Sequence, residues 1–335
     1  MTHLVYIGNK LAHKGNTVST IDTLGLHFED LGYKVTYASF KSNIFLRLLD
    51  MLRTVFKQRK TANYVLIDTY STLNFYFALA VSLLCRLLKL KYIPILHGGN
   101  LPNRLSNNPK LSQLIFKYSY INISPSEYIK HHFETKGYTC KVIPNSINIS
   151  QYEFNTRVID EVKLLWVRSF SKIYNPTLAI DILETLKAKG YNAYLCMVGP
   201  EKDGSLATTK AYAKSKHLDV TFTGGLTKSD WIKLSKDYNV FINTTNFDNM
   251  PVSVIEAMAL GLPVISTDVG GLSFLIHHQK DGLLVKSRQV EGFVSAIQQL
   301  KEDSLLLSSI TKQARVKAES YDWSTIQQLW LSVLK

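Results

Sequence analysis

A chain of 335 residues with 46% apolar content can form two domains of ordinary size, each with its own core. Cys85, Cys140 and Cys196 are widely spaced, with no CxxC or Cys/His cluster, which argues against a disulfide framework or a structural zinc site and fits a reducing cytosol. The net charge of +13 is uneven: residues 1–150 hold 18 Lys+Arg against 7 Asp+Glu, and residues 151–335 hold 21 against 19. The first half is therefore expected to meet something anionic.

Apolar strands alternate with helical patterns along the whole chain, which predicts α/β architecture with parallel sheets. His3 to Gly8 reads as a strand, without the basic flank and cleavage site of a leader peptide. A loop, Asn9 to Asn16, leads to a helix from Thr17 to about Leu31; Gly15 and Asn16 suit a turn and cap. No GxGxxG is present, so a nicotinamide site has little support. After a second strand, Lys34 to Ala38, the stretch Lys41 to Lys60 is a basic amphipathic helix. Two readings stay open for it: a helix lying on an anionic bilayer, or one packed on its own domain with a solvated basic face. The charge of the whole half favours the bilayer. Tyr64 to Asp68 is a buried strand, and Leu73 to Leu84 is expected as a buried helix, too short to span a membrane.

Tyr92 to Leu96 is a strand that delivers His97-Gly98-Gly99-Asn100 at its C-terminal end, where open parallel sheets take ligands. Arg104 and Lys110 follow in a stretch read as a polar loop. Tyr120 to Pro125 is a short strand and Ser126 caps the next helix; the adjacent His131 and His132 point to different faces and do not form a metal pair. CKVIPNSIN, Cys140 to Asn148, closes the half, and the boundary is set at 155/156. The second half restarts with a strand from Lys163 to Val167 followed by Arg168 and Lys172. Strands at Ala193–Val198, Val220–Phe222 and Val240–Asn243 lead to Asn246–Gly271. There Asp248 and Asn249 precede Pro251 and a helix from Val252 to Leu260, which Gly261 stops. The N–H groups of Val252, Ser253 and Val254 would face outward at the positive end of the helix, which suits a phosphate. Glu256, about 7.5 Å along the axis, leans back toward hydroxyls beside such a phosphate.

EAMALGLPVIS, Glu256 to Ser266, preceded by Asp248, resembles the signature of the retaining glycosyltransferases of group 1, or family 4, which have the GT-B fold. Their pattern is two acids separated by seven residues, then A-M-A-x-G-x-P-V-[IV]; Asp248 stands where the earlier acid is usually Glu. The resemblance continues in VIPNSIN, where the family has V-I-P-N-G-[VI]-D, in Arg168, and in His97 after its strand. The family's Lys lies five residues beyond the Arg; Ile173 occupies that spacing here, leaving Lys172 or Tyr174 to take the place.

The resemblance implies two Rossmann-like domains facing across a cleft. Residues 1–155 would bind the acceptor, 156–320 the nucleotide sugar, and 321–335 would form a helix crossing back to the first domain. It implies transfer of a sugar from a UDP- or GDP-sugar, with retention, to a hydroxyl of a glycan or lipid-linked glycan, in cell-surface polysaccharide biosynthesis. His97 and Asp248 would serve catalysis. Arg168, Lys172, Asn249, Met250, Pro251, Val252, Ser253 and Glu256, with Asp248, would hold the donor, and Gly15 and Asn16 would lie near donor and acceptor. No metal or other cofactor is expected, and the site of action would be cytoplasmic, peripheral at the inner membrane face. A GT-B epimerase and a GT-B protein that binds without catalysing are the alternatives. Nucleic-acid binding is disfavoured, because no aromatics interleave with the basic residues on a reading surface.

Overall fold

The computed structural model describes residues 1–11 and 19–335. The chain divides into two compact units: residues 1–144 with 332–335, and residues 145–331. Each is built on six parallel strands, as the alternating pattern predicts.

The first unit contains β1 (His3–Ile7), β2 (Lys34–Ala38), β3 (Tyr64–Thr69), β4 (Tyr92–Leu96), β5 (Asn122–Ser124) and β6 (Cys140–Val142), in the order β2-β1-β3-β4-β5-β6. Every residue of β1, β3 and β4 is buried. These near-continuous apolar runs suit strands covered by helices on both faces. The chain reverses its direction across the sheet between β1 and β3, which creates a crevice at their C-terminal ends. The helix after β1 runs Thr20–Asp30 and starts later than expected, because Ser19 and Asp22 form a capping box there. Helix Ile44–Gln58 is opened by the Asn43 side chain, which accepts from the N–H groups of Phe45 and Leu46, and it buries Met51 and Val55.

Helix Asn74–Leu87 departs from the expectation of a buried helix. Phe75, Ala78, Val81 and Cys85 face the core, but Tyr76, Leu83 and Leu87 are exposed. A sheet-covering helix has only one face to bury, and here the outer face is apolar as well. Arg104 lies in helix Leu101–Asn107 rather than in a loop, and its guanidinium holds Ser71 O and Asn108 Oδ1, which makes it a structural clamp.

The second unit contains β7 (Val162–Val167), β8 (Ala193–Val198), β9 (Thr221–Gly224), β10 (Val240–Asn243), β11 (Val264–Thr267) and β12 (Leu283–Val285), ordered β12-β11-β10-β7-β8-β9. Its switch point lies between β7 and β10. Trp166, Phe170, Leu183 and Phe293 fill one face of the core, and Phe241, Ile255 and Met258 the other.

Residues 145–155 group with this second unit. Ile147 and the 321–323 segment exchange backbone hydrogen bonds of 2.9 and 3.1 Å, and Arg315 Nη1 donates to Tyr152 O at 2.6 Å. Helix Trp323–Leu331 also belongs here, while the last four residues belong to the first unit: Tyr64 Oη donates to Lys335 O at 2.6 Å, and Lys141 Nζ to Ser332 Oγ at 2.5 Å.

Candidate functional site

In the second unit the switch point gathers the acidic signature. Beyond β10 the chain enters a polar loop and then helix Val252–Ala259. Pro251 is its N-cap, with extended backbone, rather than its first helical residue. The Val254 N–H is not an outward donor: it bonds Pro251 O at 3.1 Å. Val252 and Ser253 remain half-buried at the helix entrance. Val254 through Ala259 are buried, so the helix is locked into the core behind its N-terminus. The loop before it is pinned by two glycines. Gly271 N–H donates to Asp248 O at 2.8 Å. A Cβ at Gly271 would sit 1.9 Å from Asn249 O, and one at Gly270, at φ +57°, would sit 2.2 Å from Asp248 O. Only residues without a side chain allow the two backbones to approach that closely. Asn249 and Met250 are buried in this loop.

Arg168, at the end of β7, reaches the same point. Its guanidinium is ion-paired with Asp248 and lies 3.4 Å from Ser253 Oγ. It stacks over the Tyr174 ring at 4.0 Å. Burial lowers its affinity for its proton, with Tyr174 opposing, and its Nε is buried without a partner among the described residues. Gly199, at φ +153°, makes room for this turn: a Cβ there would overlap the Arg168 carbonyl. The carboxylate and the guanidinium, assigned separate jobs from the sequence, are therefore in direct contact. Lys172 is exposed; its N–H donates to Asp203 Oδ2 at 3.0 Å and its carbonyl accepts from Asn246 Nδ2 at 3.1 Å. Tyr174, not Lys172, packs on Arg168.

Glu256 is buried; its Oε1 accepts from Tyr152 Oη at 2.6 Å and is ion-paired with Lys228 Nζ at 2.9 Å. Among the described residues nothing bonds its Oε2. Burial first, then the Glu256 charge, pushes the Tyr152 phenol far up, so it stays a donor. Sequence reasoning missed Tyr152 and Lys228. Neither lies in a motif, and Tyr152 is 104 positions from the acid it holds.

The first unit has its own cluster at the end of β3 and β4. His97 Nε2 lies 2.8 Å from Asp68 Oδ1, which also accepts from Tyr6 Oη at 3.1 Å. Facing a carboxylate, Nε2 is the ring nitrogen that donates in this contact, and Nδ1 is not engaged by it. Tyr70 stacks on the imidazole at 4.9 Å. Asp68 Oδ2 is buried with no partner among the described residues, beside a small cavity lined by Gly8, Tyr70 and Asn74. A Cβ at Gly8 would come within 2.6 Å of that oxygen, so the glycine after β1 is what admits the carboxylate. Gly15 and Asn16 lie outside the described residues. No cluster of three metal-ligating side chains occurs among the described residues.

The family "Glycosyl transferases group 1" matches residues 151–317. The N,N'-diacetylbacillosaminyl-diphospho-undecaprenol alpha-1,3-N-acetylgalactosaminyltransferase of Campylobacter jejuni is 25% identical over 237 residues, covering 67% of this chain and 62% of that protein. A D-inositol 3-phosphate glycosyltransferase of Jonesia denitrificans is 34% identical over 97 residues, covering 29% of this chain and 22% of its own length. The chain thus matches less than two thirds of the length of these relatives. Among solved structures, Anabaena HepE in complex with UDP and glucose superposes with a TM-score of 0.78 at 16% identity, covering 100% of this chain and 99% of that one. Sucrose-phosphate synthase from Thermosynechococcus elongatus gives 0.80 at 15%, covering 99% of each. The two six-stranded parallel sheets are those of GT-B proteins, and residues 151–317, just under half of the chain, match the group 1 glycosyl transferases.

Proposed function

We propose that the protein transfers a sugar from a nucleoside diphosphate sugar to a hydroxyl of a glycan or lipid-linked glycan, with retention of anomeric configuration. The observation that carries this is the convergence of Arg168, Ser253 and the start of helix Val252–Ala259 on one point, flanked by Asp248 and by the buried Glu256. A guanidinium and helix N–H groups are matched to a diphosphate, and their charge grows in value as the diphosphate departs. On this reading they supply the neutralisation that a metal supplies in other transferases, and no cofactor is required. Oε2 of Glu256 takes the ribose hydroxyls, while Tyr152 and Lys228 hold the carboxylate in place. When the donor enters, its phosphates draw Arg168 from Asp248, which frees that carboxylate for the sugar. His97, oriented by Asp68, binds a sugar hydroxyl through Nδ1.

A uridine donor is supported by HepE, which binds UDP and glucose, and a polyprenyl-diphosphate glycan acceptor by the Campylobacter transferase. Action at the inner face of the membrane, in surface polysaccharide synthesis, follows from such an acceptor. Thermal-shift titration against a panel of nucleotide sugars is the direct test. The site requires one nucleotide series to raise the melting temperature, the shift to vanish in Glu256→Ala, and the transferred sugar to keep its anomeric configuration by NMR. A protein unshifted by every nucleotide would refute the reading.

A further inference from the structure

Two neighbouring helices of the first unit carry apolar side chains on faces that cover nothing. On helix Ile44–Gln58, Met51 and Val55 point into the core with Leu48 and Leu52 beside them. Phe45, Leu49 and Phe56 fall on a second stripe, at spacings of four and seven residues, and are 79, 62 and 50% exposed. Arg53 and Lys57 border this stripe in the helical projection, and Arg59 and Lys60 follow the helix. Helix Asn74–Leu87 packs against it and repeats the pattern. Leu73, Tyr76, Leu83 and Leu87 recur at three, seven and four residues, and Leu87 is 78% exposed. One such residue is unremarkable, but two adjacent stripes are not.

The surrounding charge identifies the occupant. From residue 31 to 126 the chain holds 13 Lys+Arg and 2 Asp+Glu. Both acids are engaged internally: Asp50 accepts from Ser39 Oγ at 2.6 Å, and Asp68 from Tyr6 and His97. No helix in the described residues is long and apolar enough to cross a membrane. Exposed aromatic and leucine side chains, a basic rim and short amphipathic helices together match the interface of an anionic bilayer rather than its interior.

We propose that helices Ile44–Gln58 and Asn74–Leu87 form one platform that seats the first unit on an anionic lipid surface. Phe45, Leu49, Phe56, Leu83 and Leu87 enter the headgroup boundary, and Arg53, Lys57, Arg59 and Lys60 meet lipid phosphates. The second helix, expected from the sequence to be buried, is as much a part of the contact as the basic one. This inference does not depend on the transfer reaction.

The test is co-sedimentation of the full chain with vesicles of phosphatidylcholine alone and of phosphatidylcholine with about one third phosphatidylglycerol. Binding is expected to the anionic vesicles, weakening as salt rises. Arg53→Gln/Lys57→Gln should lower affinity by about ten-fold or more, since each basic residue near such a surface contributes roughly five-fold. Leu83→Ser/Leu87→Ser should lower it by a similar factor without touching a charge. All these side chains are exposed, so the variants should melt like the parent, and their nucleotide-induced melting shift should be unchanged. Equal binding to both vesicle types, or parent-like binding of the Leu83/Leu87 variant, would overturn the platform. A lipid-free dimer that these same substitutions dissociate would assign the faces to a second copy of the chain and overturn it too.

Discussion

Tyr152→Phe tests whether Glu256 is held ready for its ligand. The substitution removes one oxygen from a buried ring and nothing else. In the parent, Glu256 Oε1 accepts from Tyr152 Oη at 2.6 Å and is ion-paired with Lys228 Nζ at 2.9 Å. A buried hydrogen bond to a charged group contributes about 1.5–3 kcal/mol. The Lys228 side chain is 52% exposed, so its ion pair adds at most about 1 kcal/mol and cannot compensate. Tyr152→Phe should therefore destabilise the second unit by about 2 kcal/mol, a fall of about 4–8 °C in melting temperature for a domain of this size. Differential scanning calorimetry on Tyr152→Phe, Glu256→Ala and the double variant closes a cycle. With the carboxylate gone, losing the phenol should cost little, because the hydroxyl then lacks its acceptor, so the coupling should reach about 1.5 kcal/mol or more. Isothermal titration with the stabilising nucleotide should show weaker binding in Tyr152→Phe, and much weaker binding in Glu256→Ala. Additive melting shifts, within about 0.5 kcal/mol, would show that Tyr152 does not act through Glu256 and would refute the argument.

Asp248→Ala should abolish sugar transfer while largely sparing nucleoside diphosphate binding, because it removes the group assigned to the sugar and releases Arg168; Glu256→Ala should instead weaken binding, and equal residual activity in the two refutes both assignments. Gly271→Ala places a Cβ 1.9 Å from Asn249 O and should cost about 1–3 kcal/mol, read as a melting shift, together with loss of nucleotide binding. Asp203 accepts from Ser205 Oγ, the Lys172 N–H and Ser171 Oγ, which hold its carboxyl down from the usual 3.8 to about 2. A depressed carboxylate stabilises the fold fully above 3.8, and the contribution is lost as pH falls toward 2. Acid unfolding of Asp203→Asn should therefore begin at higher pH than in the parent, and superimposable acid transitions would contradict the assignment. Burial raises the Cys85 and Cys140 thiols to about 12, so neither should react with iodoacetamide at neutral pH until the first unit is unfolded.

The fold was legible because period-two and period-3.6 patterns are local, and most strands fall within two residues of where the pattern puts them. The misplacements have local causes. Helix Thr20–Asp30 starts at its Ser19/Asp22 box rather than at Thr17, whereas the helix after β10 starts at Val252 as expected, with Pro251 capping it in extended backbone. Residues 145–155 show a different limit. Their grouping with the second unit rests on Ile147 bonding the 321–323 segment and on Arg315 bonding Tyr152, contacts made across more than a hundred residues of sequence.

The two candidate clusters divide along the same line. Asp248, Glu256 and the glycines were visible because a helix N-terminus and its flanking acids are written in consecutive residues. What a sequence does not write is how each acid is already occupied. Asp248 is ion-paired with Arg168, and Glu256 is held through one oxygen by Tyr152 and Lys228, so the second unit carries its charges as engaged partners. Asp68 is the opposite case. It is a strand residue with no motif around it, yet burial leaves its Oδ2 without a partner among the described residues, beside His97. An unsatisfied buried carboxylate oxygen costs on the order of 1–3 kcal/mol or more, and such a cost persists only where something else repays it. If that something is the orientation of His97 for a sugar hydroxyl, Asp68→Asn should lower kcat, and His97→Ala/Asp68→Asn should be no slower than His97→Ala alone. Multiplicative losses in the double variant would show that the two residues act independently.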